Sequence, residues 1–365
     1  EFFHGTLPFE SLNLQDICLA SLIGGCRIDH SIAPVADTPG GTRAGYKRWD
    51  RFRSNGLSRY EDVRNDASNR DGVSRLSAYL HFGMVSPFRI AREADAAGAG
   101  KYLDELLIWR ELSFNFCFHN LDVIDSIEAL PAWAIDTLDE HASDEREGIY
   151  PWELLSRGKT GQPLWDACQR SLVKHGELHN NVRMTWGKAF LRWAPSPAAA
   201  MQLTMDLNHR YALDGRDPCS YGGVLWCFGL FDRPFKPAGQ VFGNVRERPC
   251  EIHESRLDLE KFTESVDRPI AGRMPKVAMV GSGIGGLIAS RCLQDHGIDV
   301  TLFDKSHGVG GRLATRREGG LAFDHGAQYF TARDTRFTRY VRSWMQEGLV
   351  EPWMGRIVKL DSDGG

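Results

Sequence analysis

A glycine-rich stretch, Gly281-Ser-Gly283-Ile-Gly285-Gly286, lies between a strand-like and a helical stretch and has the spacing of a phosphate-binding loop. In such a loop Gly281 permits the tight turn, Gly283 lets backbone N–H groups approach a pyrophosphate, and Gly286 lets helix and strand pack closely. The next strand-like stretch ends in Asp304, which would accept hydrogen bonds from ribose hydroxyls. The alternative is a glycine-rich turn without a ligand, but the four features together predict a dinucleotide site.

Hydroxyl side chains precede an apolar helical stretch in Ser74-Arg-Leu-Ser77-Ala-Tyr-Leu-His-Phe-Gly83. Serines at a helix start are good N-caps, which would give them a purely structural role. The same hydroxyls, together with the free N–H groups of a helix start, can also hold a phosphate. The residue types alone favour neither the capping role nor the phosphate-binding role.

Tryptophans and basic residues form two further patterns in the first 250 residues. Trp186 and Trp193 are seven residues apart, which places them on one face of a helix, and Trp165 lies on the preceding segment. Core packing is the usual explanation for such a stripe. Between residues 157 and 248 basic side chains outnumber acidic ones, which is typical of either a solvated face or a phosphate-binding surface.

The elements that must position these residues are mainly helical. From Tyr46 to about residue 207 apolar residues recur at helical spacing, and glycines and prolines separate the segments. From Lys276 the pattern changes to strand, glycine turn, helix and strand. The sequence therefore predicts a mainly α domain over residues 1–250, a polar linker over 251–275, and a partial α/β Rossmann-type domain over 276–365. We expect this last domain to be incomplete and the chain to be a fragment.

Composition narrows the class of protein further. Hydrophobic residues make up 42% and charged residues 25% of the 365 residues, and the net charge is −4, so any nucleic-acid site must be a local patch. Eight cysteines occur singly, which predicts neither a metal site nor a disulfide framework and favours a reducing, intracellular compartment. No apolar run approaches the length of a membrane span. We expect a soluble monomer.

Four segments, in this order, resemble the FAD-binding domain of the photolyase/cryptochrome family. They are 74–83, Trp109-Arg-Glu111-Leu-Ser-Phe-Asn115-Phe, Gly176-Glu-Leu-His-Asn-Asn-Val-Arg183-Met-Thr-Trp186, and Asn208-His-Arg-Tyr-Ala-Leu-Asp214-Gly-Arg-Asp217-Pro. The last segment, with Val241-Phe-Gly-Asn-Val-Arg246, is similar to the class II photolyases in particular. The resemblance covers about residues 40 to 250 and implies a helical fold around FAD.

The resemblance also implies roles for single residues. The residues implied to bind FAD are Tyr60, Arg64, Ser74, Leu76, Ser77, Asn115, Arg183, Asn208, Asp214 and Asp217. Of these, Asn208 matches the asparagine that faces flavin N5. The tryptophans match an electron-transfer chain in which Trp186 is proximal, Trp165 intermediate and Trp193 distal.

For catalysis the resemblance implies Glu111, Asn208 and Trp226, with Trp226 stacking on a flipped lesion. The residues implied to contact DNA are Trp226, Asp232, Arg233 and Arg246. The spacing from Trp226 to Asp232 is one residue shorter than the family pattern. Cys219 and Ser220 stand where class II members usually have Asn-Gly. His179 does not match the paired histidines of (6-4) photolyases, and we interpret it as structural.

After Asp304 the chain resembles the FAD-containing amine-oxidase superfamily, most closely its renalase-like branch. The resemblance rests on Gly308-Val-Gly-Gly-Arg312 and Asp324-His-Gly-Ala-Gln-Tyr-Phe330. It implies a second dinucleotide, FAD with NAD(P) as the alternative, with Arg312 near the pyrophosphate.

Three functions are consistent with these patterns. The first is light-driven repair of cyclobutane pyrimidine dimers, in which reduced FAD passes an electron to damaged DNA. The second is a cryptochrome-type blue-light receptor that uses the same flavin and tryptophans. The third is a flavin-dependent oxidoreductase whose active part is the C-terminal domain.

Overall fold

The computed structural model describes residues 14–35, 37–269, 275–324, 326–327 and 329–355. Parts of each predicted segment, including His325 and Gln328 of the second C-terminal motif, lie outside these residues. The chain divides into two units, Glu1–Pro34 and Val35–Gly365. In the described part of the first unit, helix α1 spans Leu19–Gly24. Among the described residues, no helix has the length and apolar character needed to cross a membrane.

The second unit is helical up to residue 267, which extends the predicted helical domain into the segment predicted as a linker. Its helices are α2 (Thr42–Asn55), α3 (Tyr60–Val63), α4 (Ser77–His81), α5 (Pro87–Ala96), α6 (Gly100–Leu103), α7 (Trp109–His119), α8 (Ala132–Glu140), α9 (Trp152–Arg157), α10 (Pro163–His175), α11 (Asn180–Trp193), α12 (Pro197–Tyr211), α13 (Pro218–Trp226), α14 (Cys250–Glu254) and α15 (Leu259–Asp267). A π-helical turn over Asp104–Ile108 joins α6 to α7.

Local sequence explains where several of these helices begin and end. Ser196 and Asp217 accept hydrogen bonds from the first turns of α12 and α13, and each is followed by a proline at the first helical position. Gly158 and Gly176 end α9 and α10 in the left-handed conformation, which glycine adopts without steric cost. These signals are local, so the sequence alone determines where these helices begin and end.

Two apolar cores hold the helical half together. The smaller core lies among α2 to α6 and the π-turn, around the fully buried Trp49 and Ile90. The larger core is centred on α10 and α11 and contains Trp165, Trp186 and Phe190. Helical periodicity predicts the buried faces, and the fold brings them together.

The segment predicted as a linker, 251–275, contains packed structure. Helix α15 lies against α10, and its Phe262 and Val266 belong to the larger core. His253 of α14 is buried and shares a 2.6 Å hydrogen bond with Thr185 of α11. The polar composition reflects the outward faces of two amphipathic helices, whose few apolar residues are enough to dock them.

The C-terminal part has the predicted strand–helix–strand order. Strands β1 (Lys276–Val280) and β2 (Asp299–Phe303) are parallel neighbours joined by α16 (Ile284–Asp295). Strands β3 (Thr315–Glu318) and β4 (Leu321–Asp324) form an antiparallel hairpin, and α17 (Thr335–Gln346) follows.

Helix α9 forms much of the contact between the two halves of this unit. The carboxylate of Glu153, which is 3% exposed, accepts a 3.0 Å hydrogen bond from Trp344 of α17 and pairs with Arg291 of α16. Arg157 forms a further pair with Asp295 at 2.6 Å. The C-terminal part is thus anchored on one short helix through charged groups.

We expect replacement of Glu153 by alanine to destabilise this contact by about 2 kcal/mol, because it leaves the Trp344 N–H and the Arg291 guanidinium without their acceptor. Faster amide hydrogen exchange in α16 and α17 would report the loss. The matched control is Glu318→Ala, which removes an exposed ion pair with Arg316. Equal exchange rates in the two variants would contradict the anchoring role.

Acid should loosen the docking of α14. Burial first, and then Arg248 and Arg256, lower the pKa of His253 to about 4, whereas an unfolded histidine has a pKa of about 6.5. A lowered folded pKa gives stability that is complete above pH 6.5 and is lost as the pH falls toward 4, by about 2 kcal/mol between pH 7 and pH 5. Denaturant unfolding at both pH values should show a shallower pH dependence for His253→Asn. The exposed His119→Asn should behave as the native chain does.

Candidate functional site

A cavity of about 350 Å³ lies between α3, the turn before α4, the start of α11 and α15. This volume is within the range of small-molecule sites. Seven of the ten residues that the sequence predicts for FAD line it: Tyr60, Arg64, Ser74, Leu76, Ser77, Arg183 and Asp214. The fold therefore brings together side chains from segments more than 150 residues apart.

The turn 74–77 forms one wall of the cavity. No side chain caps α4, whose N-cap position is Leu76, so the capping role considered for the two serines is not the observed one. Arg75 has φ of 54°, a left-handed conformation that a non-glycine residue adopts only when its surroundings enforce it. Two hydrogen bonds from its guanidinium to Glu177, at 2.8 and 2.5 Å, hold it there.

Positive charge is in excess around the cavity. Six arginines line it against three carboxylates: Arg48, Arg64, Arg70, Arg75, Arg183 and Arg268 against Glu105, Glu177 and Asp214. Arg64 pairs with Glu105 at 2.8 Å, and Arg183 pairs with Asp214 at 3.3 Å. An excess of guanidinium groups suits a ligand that carries a diphosphate.

His179 provides a test of whether a polar ligand fits this wall. Its Nδ1 accepts a hydrogen bond from the Asn181 backbone N–H at 3.2 Å, and burial lowers its pKa to about 4. The ring is therefore neutral near pH 7, with its proton on Nε2. That Nε2 is buried and has no partner among the described residues, although His179 lines the cavity. A bound ligand with an acceptor would satisfy it, so the residues present fit a polar cofactor.

The end of the cavity at α11 is built on a buried polar network. Arg183 donates to Asn208 Oδ1 at 3.0 Å, and Asn208 Nδ2 donates to Ser220 Oγ at 2.8 Å. Asn208 is fully buried, but it is not part of the cavity wall. Ser220 is part of that wall.

Two other residues predicted for FAD lie away from the cavity wall. Asp217 is buried, caps α13, and pairs with Arg110 at 3.5 Å and His81 at 3.4 Å. Asn115 is exposed on α7, where its side-chain amide donates to the Glu111 carbonyl at 2.9 Å. A linear motif does not indicate which of its residues reach the cavity wall.

The three predicted electron-transfer tryptophans are in contact. Trp186 and Trp165 stack with ring centroids 6.2 Å apart and planes at 12°, and Trp165 meets Trp193 edge-on at 5.2 Å. Trp165 also donates its indole N–H to the Trp186 carbonyl at 2.9 Å. All three belong to the larger core, so they do have the core-packing role that the sequence analysis considered. The same packing also makes a continuous aromatic path along α11.

The residues predicted for lesion contact lie on neighbouring helices. Trp226, at the end of α13, lies 4.6 Å from Trp109 of α7, measured between ring centroids. Glu111 is exposed on α7, two residues after Trp109. Arg233 and Arg246, both exposed, lie over the ring of Phe235 at 5.8 and 5.4 Å. Asp232 is half-buried and accepts the Arg233 backbone N–H at 3.0 Å.

The C-terminal glycine loop has the geometry that its sequence predicts. Gly281 has φ of 101°, and a Cβ on Gly286 would lie 2.0 Å from the Gly281 carbonyl oxygen, so only glycine fits there. Asp304 accepts from the backbone and hydroxyl of Ser282, at 2.5 and 2.7 Å, and also from Ser306. The Ser306 hydroxyl, followed by Ser282, holds the pKa of Asp304 well below its usual range. Arg312 is exposed.

Sequence reasoning missed several residues of the cavity wall. Glu177 lies inside the segment 176–186 that resembles the photolyase/cryptochrome family, and that position was the available signal. His179 was interpreted as structural. Phe262 and Arg268 lie in the predicted linker, where nothing in the sequence indicated a binding role.

Comparisons with known proteins agree with this description. Residues 102–226 match the FAD binding domain of DNA photolyase, and residues 279–344 match an NAD(P)-binding Rossmann-like domain. The deoxyribodipyrimidine photo-lyase of Methanothermobacter thermautotrophicus is 41% identical over 228 residues, which are 62% of this chain and 51% of that protein. That of Oryza sativa subsp. japonica is 38% identical over 234 residues, 62% of this chain and 46% of that protein.

A bacterial class III photolyase from Agrobacterium tumefaciens is 15% identical, with a TM-score of 0.47 over 85% of this chain and 56% of that one. The chain spans about half the length of the curated relatives it matches. Over residues 102–226 the chain carries an FAD-binding domain of the DNA photolyase type, to which an NAD(P)-binding Rossmann-like domain over residues 279–344 is joined.

Proposed function

We propose that this chain is part of an enzyme that uses light and FAD to split cyclobutane pyrimidine dimers in DNA. The observation that carries the proposal is the cavity, because it gathers the predicted FAD residues at the helix that also bears Trp186. Bound FAD supplies light absorption and a transferable electron. The protein's part is to hold the cofactor, exclude water, deliver electrons and present the damaged DNA.

The cavity wall holds the cofactor in two ways. Its excess of arginines and the Ser74 and Ser77 hydroxyls provide donors for the diphosphate. His179 contributes one donor, its Nε2–H group. Its ring stays neutral down to a pH of about 4, because burial lowers its pKa. Arg183 holds Asp214 and Asn208 in place at the α11 end.

The tryptophan path would deliver electrons to the cavity. Trp193 is 6% exposed, whereas Trp165 and Trp186 are 0 and 1% exposed, so the path runs from near the surface inward. Trp186 lies one helical turn from Arg183, which lines the cavity. Rings in contact favour electron transfer because tunnelling weakens steeply with distance.

DNA would be held at the α7–α13 face. Arg233 and Arg246 supply positive charge for the phosphate backbone, and Phe235 fixes both guanidinium groups. Trp226, paired with Trp109, offers an aromatic surface for a pyrimidine dimer rotated out of the stack. Glu111, which is exposed on α7, would supply a hydrogen-bond acceptor.

A second proposal concerns the C-terminal domain, which we infer binds a second dinucleotide, FAD or NAD(P). Its support is Gly286, where the absence of a side chain lets α16 pack against the turn at Gly281. Gly286→Val should abolish dinucleotide binding by this domain while the cavity of the helical half keeps its cofactor. The number of dinucleotides released per chain by denaturation measures this.

Repair is tested with chemically reduced protein and an oligonucleotide that contains one thymine dimer, under blue light and in the dark. Loss of dimers only in the light supports the proposal. FAD that is bound and reduced by light without any repair would instead favour a photoreceptor. Reduction of the flavin by amine or NAD(P)H in the dark would favour the oxidoreductase.

Replacement of Trp165 by phenylalanine should slow light-driven reduction of bound FAD at least tenfold, because the phenyl ring is much harder to oxidise than the indole it replaces in the middle of the path. The measurement is the decay of oxidised-flavin absorbance under blue light with an external thiol. Trp49→Phe is the matched control, since Trp49 is equally buried but lies in the smaller core. Equal rates in the two variants would show that electrons enter by another route.

A further inference from the structure

Asn208 has little hydrogen-bonding capacity left for a ligand. Its Oδ1 accepts from Arg183 at 3.0 Å, and its Nδ2 donates to Ser220 Oγ at 2.8 Å and to the Gly215 carbonyl at 3.3 Å. A side-chain amide has two N–H groups, and both are engaged here. Asn208 is also fully buried behind the cavity wall.

Ser220, by contrast, still has a hydrogen-bond donor to offer a ligand. Its oxygen accepts from Asn208 and, at 3.4 Å, from Arg183, and both of those groups act as donors. A hydroxyl carries one proton of its own, and the described residues offer that proton no acceptor. Ser220 lines the cavity.

We propose that the Ser220 hydroxyl, rather than the Asn208 amide, donates a hydrogen bond to the flavin ring in this cavity and raises its reduction potential. This inference rests on the proposed FAD site. Reduction increases the electron density on the ring's nitrogen and oxygen atoms, and a donor fixed against them stabilises the reduced form. Arg183 strengthens the effect, because a hydroxyl that accepts from a guanidinium becomes a better donor.

This arrangement gives a physical meaning to the departure at position 220. A glycine there, as in the usual class II pattern, offers neither an acceptor for Asn208 nor a donor for the cavity. The Asn208 amide would then be free to face the ring. The serine therefore moves the donor from one residue to the other.

The experiment is a redox titration of the FAD-loaded full chain, followed by its visible absorption. Ser220→Ala should lower the ratio of reduced to oxidised flavin at a fixed ambient potential about tenfold, or about 30 mV for a two-electron couple. Ser220→Thr keeps a hydroxyl and should retain the native potential. Ser113→Ala, at a buried serine of α7 that is not part of the cavity wall, is the control.

A double-mutant cycle distinguishes a direct effect of Ser220 on the flavin from an effect that acts only through Asn208. If Ser220 acts directly, Ser220→Ala lowers the potential by a similar amount in an Asn208→Ala background. The proposal is overturned if the shift disappears in that background, or if Ser220→Ala binds FAD with an unchanged potential. A native chain that binds no FAD would overturn the proposed function as well, so the two failures are distinguishable.

Discussion

The carboxylate of Glu177 is the interaction on which the candidate site depends most. It accepts from Arg75 at 2.8 Å and pairs with Arg70 at 3.1 Å and Arg268 at 3.0 Å. Burial by itself would raise the pKa of Glu177, but Arg75 and Arg70 outweigh it and lower that pKa. One anion thus ties the turn before α4, the start of α11 and the end of α15 around a single cavity. Without it, three guanidinium groups would repel one another at that wall.

For the tryptophans, a structural role and the proposed electron-transfer role do not compete. Trp165 packs on Trp186 and Trp193 because the faces of α10 and α11 bury the largest side chains available. Close packing keeps the rings fixed, and fixed rings in contact are also what an electron path requires. The residues that stabilise the larger core are therefore the ones available for charge transfer, and neither role can be assigned from burial alone.

The joined C-terminal domain meets the helical half at α9. This helix is preceded by Tyr150, whose ring lies 5.1 Å from Trp193 and whose backbone N–H donates to the Trp193 carbonyl at 3.1 Å. Gln346 of α17 donates to the carbonyl of the neighbouring Ile149 at 2.9 Å. The C-terminal helix therefore contacts the segment that covers the outer end of the tryptophan path. A shift in that contact would change how the outermost ring is packed.

The sequence by itself determined the features that depend only on residues close together along the chain. The glycine loop at 281–286, the caps of α12 and α13 and the helical texture of the first half follow from local backbone chemistry, which acts over a few residues. Three of the four motifs that resemble the photolyase/cryptochrome family also contribute residues to the cavity wall.

Only the tertiary structure decided which side chains meet. Arg75 and Arg268 converge on Glu177 across about 90 to 100 residues, α15 packs where a polar linker was expected, and Ser220 stands between Asn208 and the cavity. Periodicity shows which face of a helix is buried, but it does not show the partner of that face. That choice is made by long-range packing, which optimises all contacts together and has no signature at any one position.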